Sequence, residues 1–185
     1  MNDQIPRLTA KEMPPALASF LSPRIERLGY LGEFFQCTAH QPEALLSFLE
    51  FTEHLKHALP PNLTEIVALS VAALMDNDYE RVQHERLCRK LGFSAEWVRE
   101  VLNLGAGDLR ALTQEEIVVQ QLVITVAQRG GRNTRAELGA VIRSFGPEKA
   151  IAVLMLIGRY MSHALIVNTL DLAPPAMALH QENGS

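Results

Sequence analysis

The residues best suited to chemistry lie between positions 65 and 84. Glu65 opens an apolar run, Ile66 to Leu74, that ends at the acidic break Asp76-Asn77-Asp78. A second helix start follows, bearing Tyr79, Glu80 and, one turn later, His84. Histidine is the side chain best matched to proton transfer near neutral pH. A carboxylate in apolar surroundings can hold a proton or orient an imidazole. Glu65 and His84 are therefore candidate catalytic acid/base groups on either side of a helix corner. Each neighbour also has a plainer reading. Asn62-x-x-Glu65 and Asn77-x-x-Glu80 are both capping-box patterns, and Tyr79 either points its hydroxyl into a site or packs as an aromatic. If the two helices fold back on each other, a first helix of about 16 Å and a return of about 9 Å leave about 7 Å for the two side chains to bridge.

Other candidates surround this pair. Glu80, Arg81 and Arg159 are candidate substrate contacts, the arginines because a guanidinium fork matches a carboxylate. Arg81 also reads as a solvated helix-surface charge. Arg159 interrupts the apolar face Val153, Leu154, Ile157 and Met161, and His163 follows one turn later. Glu80, His84 and Cys88 form an i, i+4, i+8 stripe, but eight residues span about 12 Å of axis and one helix cannot surround an ion. No metal and no cofactor are expected. His40, His54 and His57 show no partner pattern.

The elements that must position these groups read as helices throughout. Ser22-Pro23 looks like a cap before a helix-opening proline, and Gln41-Pro42-Glu43 opens a helix to about Ala58. Helices are expected from about Thr64 to Met75 and from Asp78 to Leu91. Ser94, Thr113 (a capping box with Glu116) and Thr134 start three more, and Gly130-Gly131 is a turn. Gly146 closes one helix, and Pro147-Glu148 starts a last one to about Leu170. No segment shows strand alternation. The fold class is all-α, with about seven or eight helices: a helical extension over 1–41, a core over 42–172 and a flexible tail over 173–185.

Composition narrows the function classes. The chain has 185 residues, 48% apolar and 21% charged, a globular balance sufficient for one core. A net charge of −4 and 6% aromatics give no case for nucleic acid or an anionic membrane surface. Two distant cysteines, Cys37 and Cys88, make no disulfide framework and no Cys-x-x-Cys pair. The start Met1-Asn2-Asp3-Gln4 lacks a signal-peptide pattern, and the apolar run Ala150–Ile157 is short for a span. A cytoplasmic location with reduced thiols is expected. The last helix is apolar over much of its circumference, which suggests a homo-oligomer.

Leu59-Pro60-Pro61-Asn62-Leu63-Thr64-Glu65, then Asn77-Asp78-Tyr79-Glu80-Arg81-Val82-Gln83-His84 and Leu91-Gly92, resemble the carboxymuconolactone decarboxylase family of the AhpD-like superfamily. The resemblance extends over about residues 42–172. It implies an oligomeric helical domain and a small-molecule site. AhpD-type members carry a Cys-x-x-Cys pair where this chain has Asn77 and Glu80, so a thiol peroxidase is disfavoured. The decarboxylase branch relies instead on acid/base residues, matched here by Glu65, Tyr79, Glu80 and His84. The resemblance thus implies a cofactor-free carboxy-lyase-like enzyme for a small carboxylated or lactone-like substrate. His84 would move the proton, Glu65 would orient it, and Tyr79 would hydrogen-bond a developing enolate. A non-catalytic oligomeric small-molecule binder is the alternative.

Overall fold

The computed structural model describes residues 5–174, and among these every regular element is helical. Eight helices follow in order: α1 (Pro15–Leu28), α2 (Glu33–Thr38), α3 (Pro42–Ala58), α4 (Pro61–Leu74), α5 (Asp78–Lys90), α6 (Ala95–Leu102), α7 (Gln114–Arg129) and α8 (Arg135–Thr169). The expected tail lies outside the described residues from position 175 onward.

α4 is the centre of the fold. Every residue from Leu63 to Ala72 is buried, as expected of a helix that is apolar all round. It packs against α5, α6, α7 and α8. Leu63, Ile66 and Leu69 meet Val101, Val119, Leu122, Val153 and Leu156 in the main core. A second apolar cluster joins α1 and α2 to α3 and to the end of α8, through Leu17, Leu21, Phe34, Leu49 and Val167. Tyr79 belongs to this second cluster. At Gly32 the N-terminal segment comes so close that a Cβ there would overlap the Tyr79 hydroxyl.

Several helix starts are capped by the side chains expected. Asn77 accepts from the Glu80 amide at 3.1 Å, Ser94 caps α6, and Thr113 with Glu116 forms a reciprocal capping box on α7. Three expectations are corrected. Ser22-Pro23 does not open a helix: Pro23 lies inside α1, which begins at Pro15. Leu17 and Leu21 ahead of it are buried, and that packing carries the helix through the proline. Asn62 caps nothing, since α4 already begins at Pro61, and its amide donates to Glu116 on α7 at 2.9 Å. Thr134 makes no side-chain cap, and its hydroxyl donates to the Gly131 carbonyl.

α8 is broken at Gly146, whose φ of 83° and ψ of 168° interrupt the helical path, a conformation glycine adopts without a steric penalty. α8 has the length and apolar composition to cross a bilayer, yet over half of its most apolar stretch is buried inside this fold. Its inner side carries Arg159, Tyr160 and His163, all buried. Its outer side exposes Ile151, Met155, Gly158, Ser162 and Leu165 in one stripe at alternating spacings of four and three. Beside α6, the Glu100 carboxylate accepts hydrogen bonds from the amides of Arg110, Ala111 and Leu112 at 2.9–3.1 Å and holds the chain leading to α7.

Candidate active site

Glu65 lies in the second turn of α4, within the buried stretch, and is 2% exposed. α5 folds back after the Asp76–Asn77 corner and brings His84 alongside. His84 Nδ1 stands 2.7 Å from Glu65 Oε2, so the gap anticipated between the two is closed by a direct contact. The Cys88 thiol, one turn beyond His84, donates to the same Glu65 oxygen at 3.6 Å. Glu65 thus serves the site and not its own helix start.

The other imidazole nitrogen is also engaged. His84 Nε2 lies 3.4 Å from Glu80 Oε2 and 3.3 Å from the Tyr160 hydroxyl. Burial alone would discharge the ring, but Glu65 at one nitrogen and Glu80 at the other favour the imidazolium, and the His84 pKa rises to about 9. Glu80, a candidate substrate contact, forms only half of the Asn77-x-x-Glu80 capping box. The Asn77 side-chain oxygen accepts from the Glu80 amide, while the Glu80 carboxylate turns inward to Arg159 Nη1 at 3.0 Å and to His163 Nε2 at 3.2 Å. Burial opposes ionisation of Glu80, but His163, His84 and Arg159 outweigh it and hold the carboxyl well below its usual range.

Arg159, a candidate substrate contact, lines the cavity beside these groups. Its Nε donates to Thr52 Oγ1 at 3.0 Å, and its guanidinium lies over the Tyr160 ring at 4.3 Å. His163 is buried against Phe34, with ring centroids 4.1 Å apart. Burial lowers its pKa to about 4 despite the neighbouring Glu80. It is therefore neutral, its Nε2–H donates to Glu80, and its Nδ1 is left without a partner.

Two candidates fall elsewhere. Arg81 is spent on surface pairs with Asp78 at 2.8 Å and Glu85 at 2.7 Å, and it does not line the cavity. The Tyr79 hydroxyl accepts from the Phe34 amide at 3.4 Å; the ring borders the cavity but its polar end is directed to α2. Tyr160 is the phenol beside His84, and the sequence reading missed it. The signal was present, since Arg159, Tyr160 and His163 follow one another on a helix already singled out, but only the fold shows which of them meets α5.

These groups border a cavity of about 240 Å³ between α1, α3, α5 and α8. His84, Tyr160 and Glu80 line it together with six cations, Arg24, Arg27, Lys56, Arg86, Lys90 and Arg159. Arg27 and Leu28 of α1, with Tyr30 just beyond, show that the N-terminal segment builds a wall of the site.

The helical fold is similar to that of several solved structures of AhpD type. The chain matches the AhpD core of an uncharacterized peroxidase-related protein from Ralstonia eutropha JMP134 with a TM-score of 0.81 and 16% identity, covering 93% of this chain and 92% of that one. A peroxidase-related protein from Silicibacter sp. TM1040 matches with a TM-score of 0.79 and 15% identity over 98% and 96% of the two chains. The debrominase Bmp8, solved in complex with 2,3,4-tribromopyrrole, matches with a TM-score of 0.79 and 13% identity over 95% and 94%. At these identities the likeness is one of fold. Within that fold, residues 42–111 match the family model of the carboxymuconolactone decarboxylase family. That segment contains Glu65, Tyr79, Glu80 and His84. No curated protein matches the sequence.

Proposed function

We propose that this chain is an acid/base enzyme, working without a cofactor, that decarboxylates a small carboxylated or lactone-like substrate. The observation that carries the reading is His84, held between Glu65 and Glu80 at the edge of a cavity otherwise rich in cations. A raised pKa makes His84 an imidazolium at neutral pH, and so a proton donor. Loss of carbon dioxide breaks a carbon–carbon bond and leaves its electron pair on the substrate, spread onto a conjugated carbonyl as an enolate. His84 then gives its proton to carbon, and Glu65 stabilises the imidazolium before transfer and orients the ring. Solvent returns the proton. The donor beside the enolate is Tyr160, whose hydroxyl is at His84, and not Tyr79, whose hydroxyl is engaged with α2.

Thiol chemistry finds no support in the site. Asn77 and Glu80 stand where AhpD-type members have cysteines; one caps α5 and the other pairs with Arg159. Burial and the adjoining Glu65 push the Cys88 thiol well above its ordinary pKa, the reverse of what a nucleophilic thiolate requires.

The test is a panel of carboxylated lactones and 3-oxo acids assayed for carbon dioxide release, with His84→Ala as control. Turnover by the natural protein and its loss in the variant support the mechanism. A His84→Ala enzyme that turns over as fast as the parent, or no turnover across the panel, rejects it.

A further inference from the structure

Three of the six cations at the cavity, Arg27, Lys56 and Lys90, stand in the last turns of α1, α3 and α5. Three helix C-termini therefore meet there, and basic side chains offset the negative ends of the helices. Glu53 draws Arg24 and Lys56 at 3.5 and 3.6 Å, and Glu80 draws Arg159 at 3.0 Å. These cations favour an anion without choosing among anions. The apolar lining is more selective. Leu28 at the end of α1, Tyr30 in the turn before α2 and Leu87 on α5 also line the cavity. All three are half-buried, yet among the described residues they belong neither to the two apolar clusters nor to the side chains packed on them. Leu87 follows His84 by three positions and shares its side of α5. Burial pushes the Tyr30 phenol up and Arg86 opposes the shift, which places the turn bearing Tyr30 within charge reach of α5. A single half-exposed leucine signifies little. Three such side chains, brought to one cavity from separate points of the chain, make a wall whose area an apolar group removes from water.

We infer that Leu28, Tyr30 and Leu87 form an apolar subsite beside His84, and that the ligand of this cavity is amphipathic, an organic anion bearing a hydrocarbon substituent that lies on this wall. Two of the three residues precede the family-matched segment 42–111. The inference rests on the decarboxylase reading for turnover alone, where it names the substrate class: a lactone or 3-oxo acid with an alkyl substituent. The wall touches the part of the substrate that does not react. Its contact is the same before and during the reaction, so it acts on KM and leaves kcat unchanged. Leu28, Tyr30 and Leu87 are thus specificity-determining residues and not catalytic ones.

Binding is tested without turnover, with the charge of the probe held constant. Acetate, butanoate and hexanoate are titrated into the full chain at pH 7 and constant ionic strength, and Kd is read by saturation-transfer NMR. Hexanoate has four methylenes more than acetate, each worth about fourfold in affinity when fully buried. Wild-type protein should bind hexanoate at least tenfold more tightly than acetate, with butanoate between them. Tyr30→Ala and Leu87→Ala should each cut that ratio at least threefold and leave acetate within twofold, while Ile142→Ala, at an exposed apolar position on α8, should leave the ratio within twofold. Circular dichroism establishes that each variant is folded, and Leu87→Ala serves if Tyr30→Ala is not. An affinity flat along the wild-type series shows that the cations hold any anion and overturns the subsite without need of a variant. A ratio within twofold of wild type in both variants, or an equal fall in Ile142→Ala, also overturns it. If the carbon dioxide panel yields a substrate, its alkyl-substituted form should have a KM at least threefold lower with kcat within twofold, and Tyr30→Ala should remove the difference; an alkyl group that leaves KM unchanged overturns the assignment of substrate class. No turnover anywhere removes the reaction, while a wall-dependent alkanoate series keeps the subsite.

Discussion

His84 and His163 lie on either side of Glu80, and the protein treats them oppositely. His84 has a pKa raised from 6.5 to about 9. Its contribution to stability is complete below pH 6.5 and is lost as pH rises through 9. His163 is lowered from 6.5 to about 4. It is buried neutral, so its effect runs the other way: stability falls as pH drops from 6.5 toward 4, where the unfolded chain takes up a proton that the folded one refuses. The melting temperature should therefore peak near pH 6.5. His84→Gln should flatten the alkaline fall, and His163→Gln the acid one; a profile unchanged in both variants contradicts the assignment. For activity, Glu65→Gln removes the charge at Nδ1, so the alkaline limb should move toward neutrality and turnover should fall by about 10²-fold or more with the fold retained by circular dichroism. The Glu65–His84 pair was legible because residue type and spacing both fall within one helix corner. The partners from α8 were not. Tyr160 is 76 positions from His84, and nothing local says which face of a long apolar helix meets α5. Glu80 was legible by halves, because its amide does make the expected cap while its carboxylate, unlike that of Glu116, makes a different bond.

At the scale of elements, two contacts fix how the N-terminal segment and α8 lie against the α4–α5 corner. Gly32 sits against the Tyr79 hydroxyl without room for a side chain. Gly32→Ala should force α2 or Tyr79 to shift, costing roughly 1–3 kcal/mol, as overpacking does; a melting temperature equal to the parent's would show that the approach is not tight. On the other side, Arg159 and Glu80 are both buried, and removing one leaves the other an uncompensated charge. Glu80→Ala should destabilise by roughly 3 kcal/mol or more, read by denaturant titration, whereas the exposed Arg110→Ala should be near neutral. Helix starts were legible where a side chain caps a free amide, as at Asn77, Ser94 and Thr113. They were misplaced at Pro23 and Asn62, where apolar packing of Leu17, Leu21 and Leu63 extends the helix beyond the local signal. This is tertiary context overriding propensity.

For the whole molecule, the stripe Ile151, Met155, Gly158, Ser162 and Leu165 has the spacing of a helix-packing seam. Small residues at its middle permit close approach of another helix, and Ile151 and Leu165 are 55% and 58% exposed. We expect a homo-oligomer built on this face of α8, as the apolar sequence of that helix suggested. Light scattering at micromolar concentration should give a multiple of the chain mass of 20.5 kDa, and Ile151→Asp with Leu165→Asp should return the monomer while leaving the helical signal intact. A monomeric parent protein contradicts the expectation.

The wall that α1 gives to the cavity has a consequence for how such a protein changes over generations. In the proposed mechanism proton transfer depends on residues of α4 and α5, whereas Arg24 and Arg27 reach the cavity from a stretch of chain ahead of them. Substitutions there alter what is admitted without moving the Glu65–His84 contact. On the proposed mechanism, ligand preference and reactivity are therefore inherited in part on separate segments, and new substrates can be explored at the front of the chain while the reactive corner is held constant.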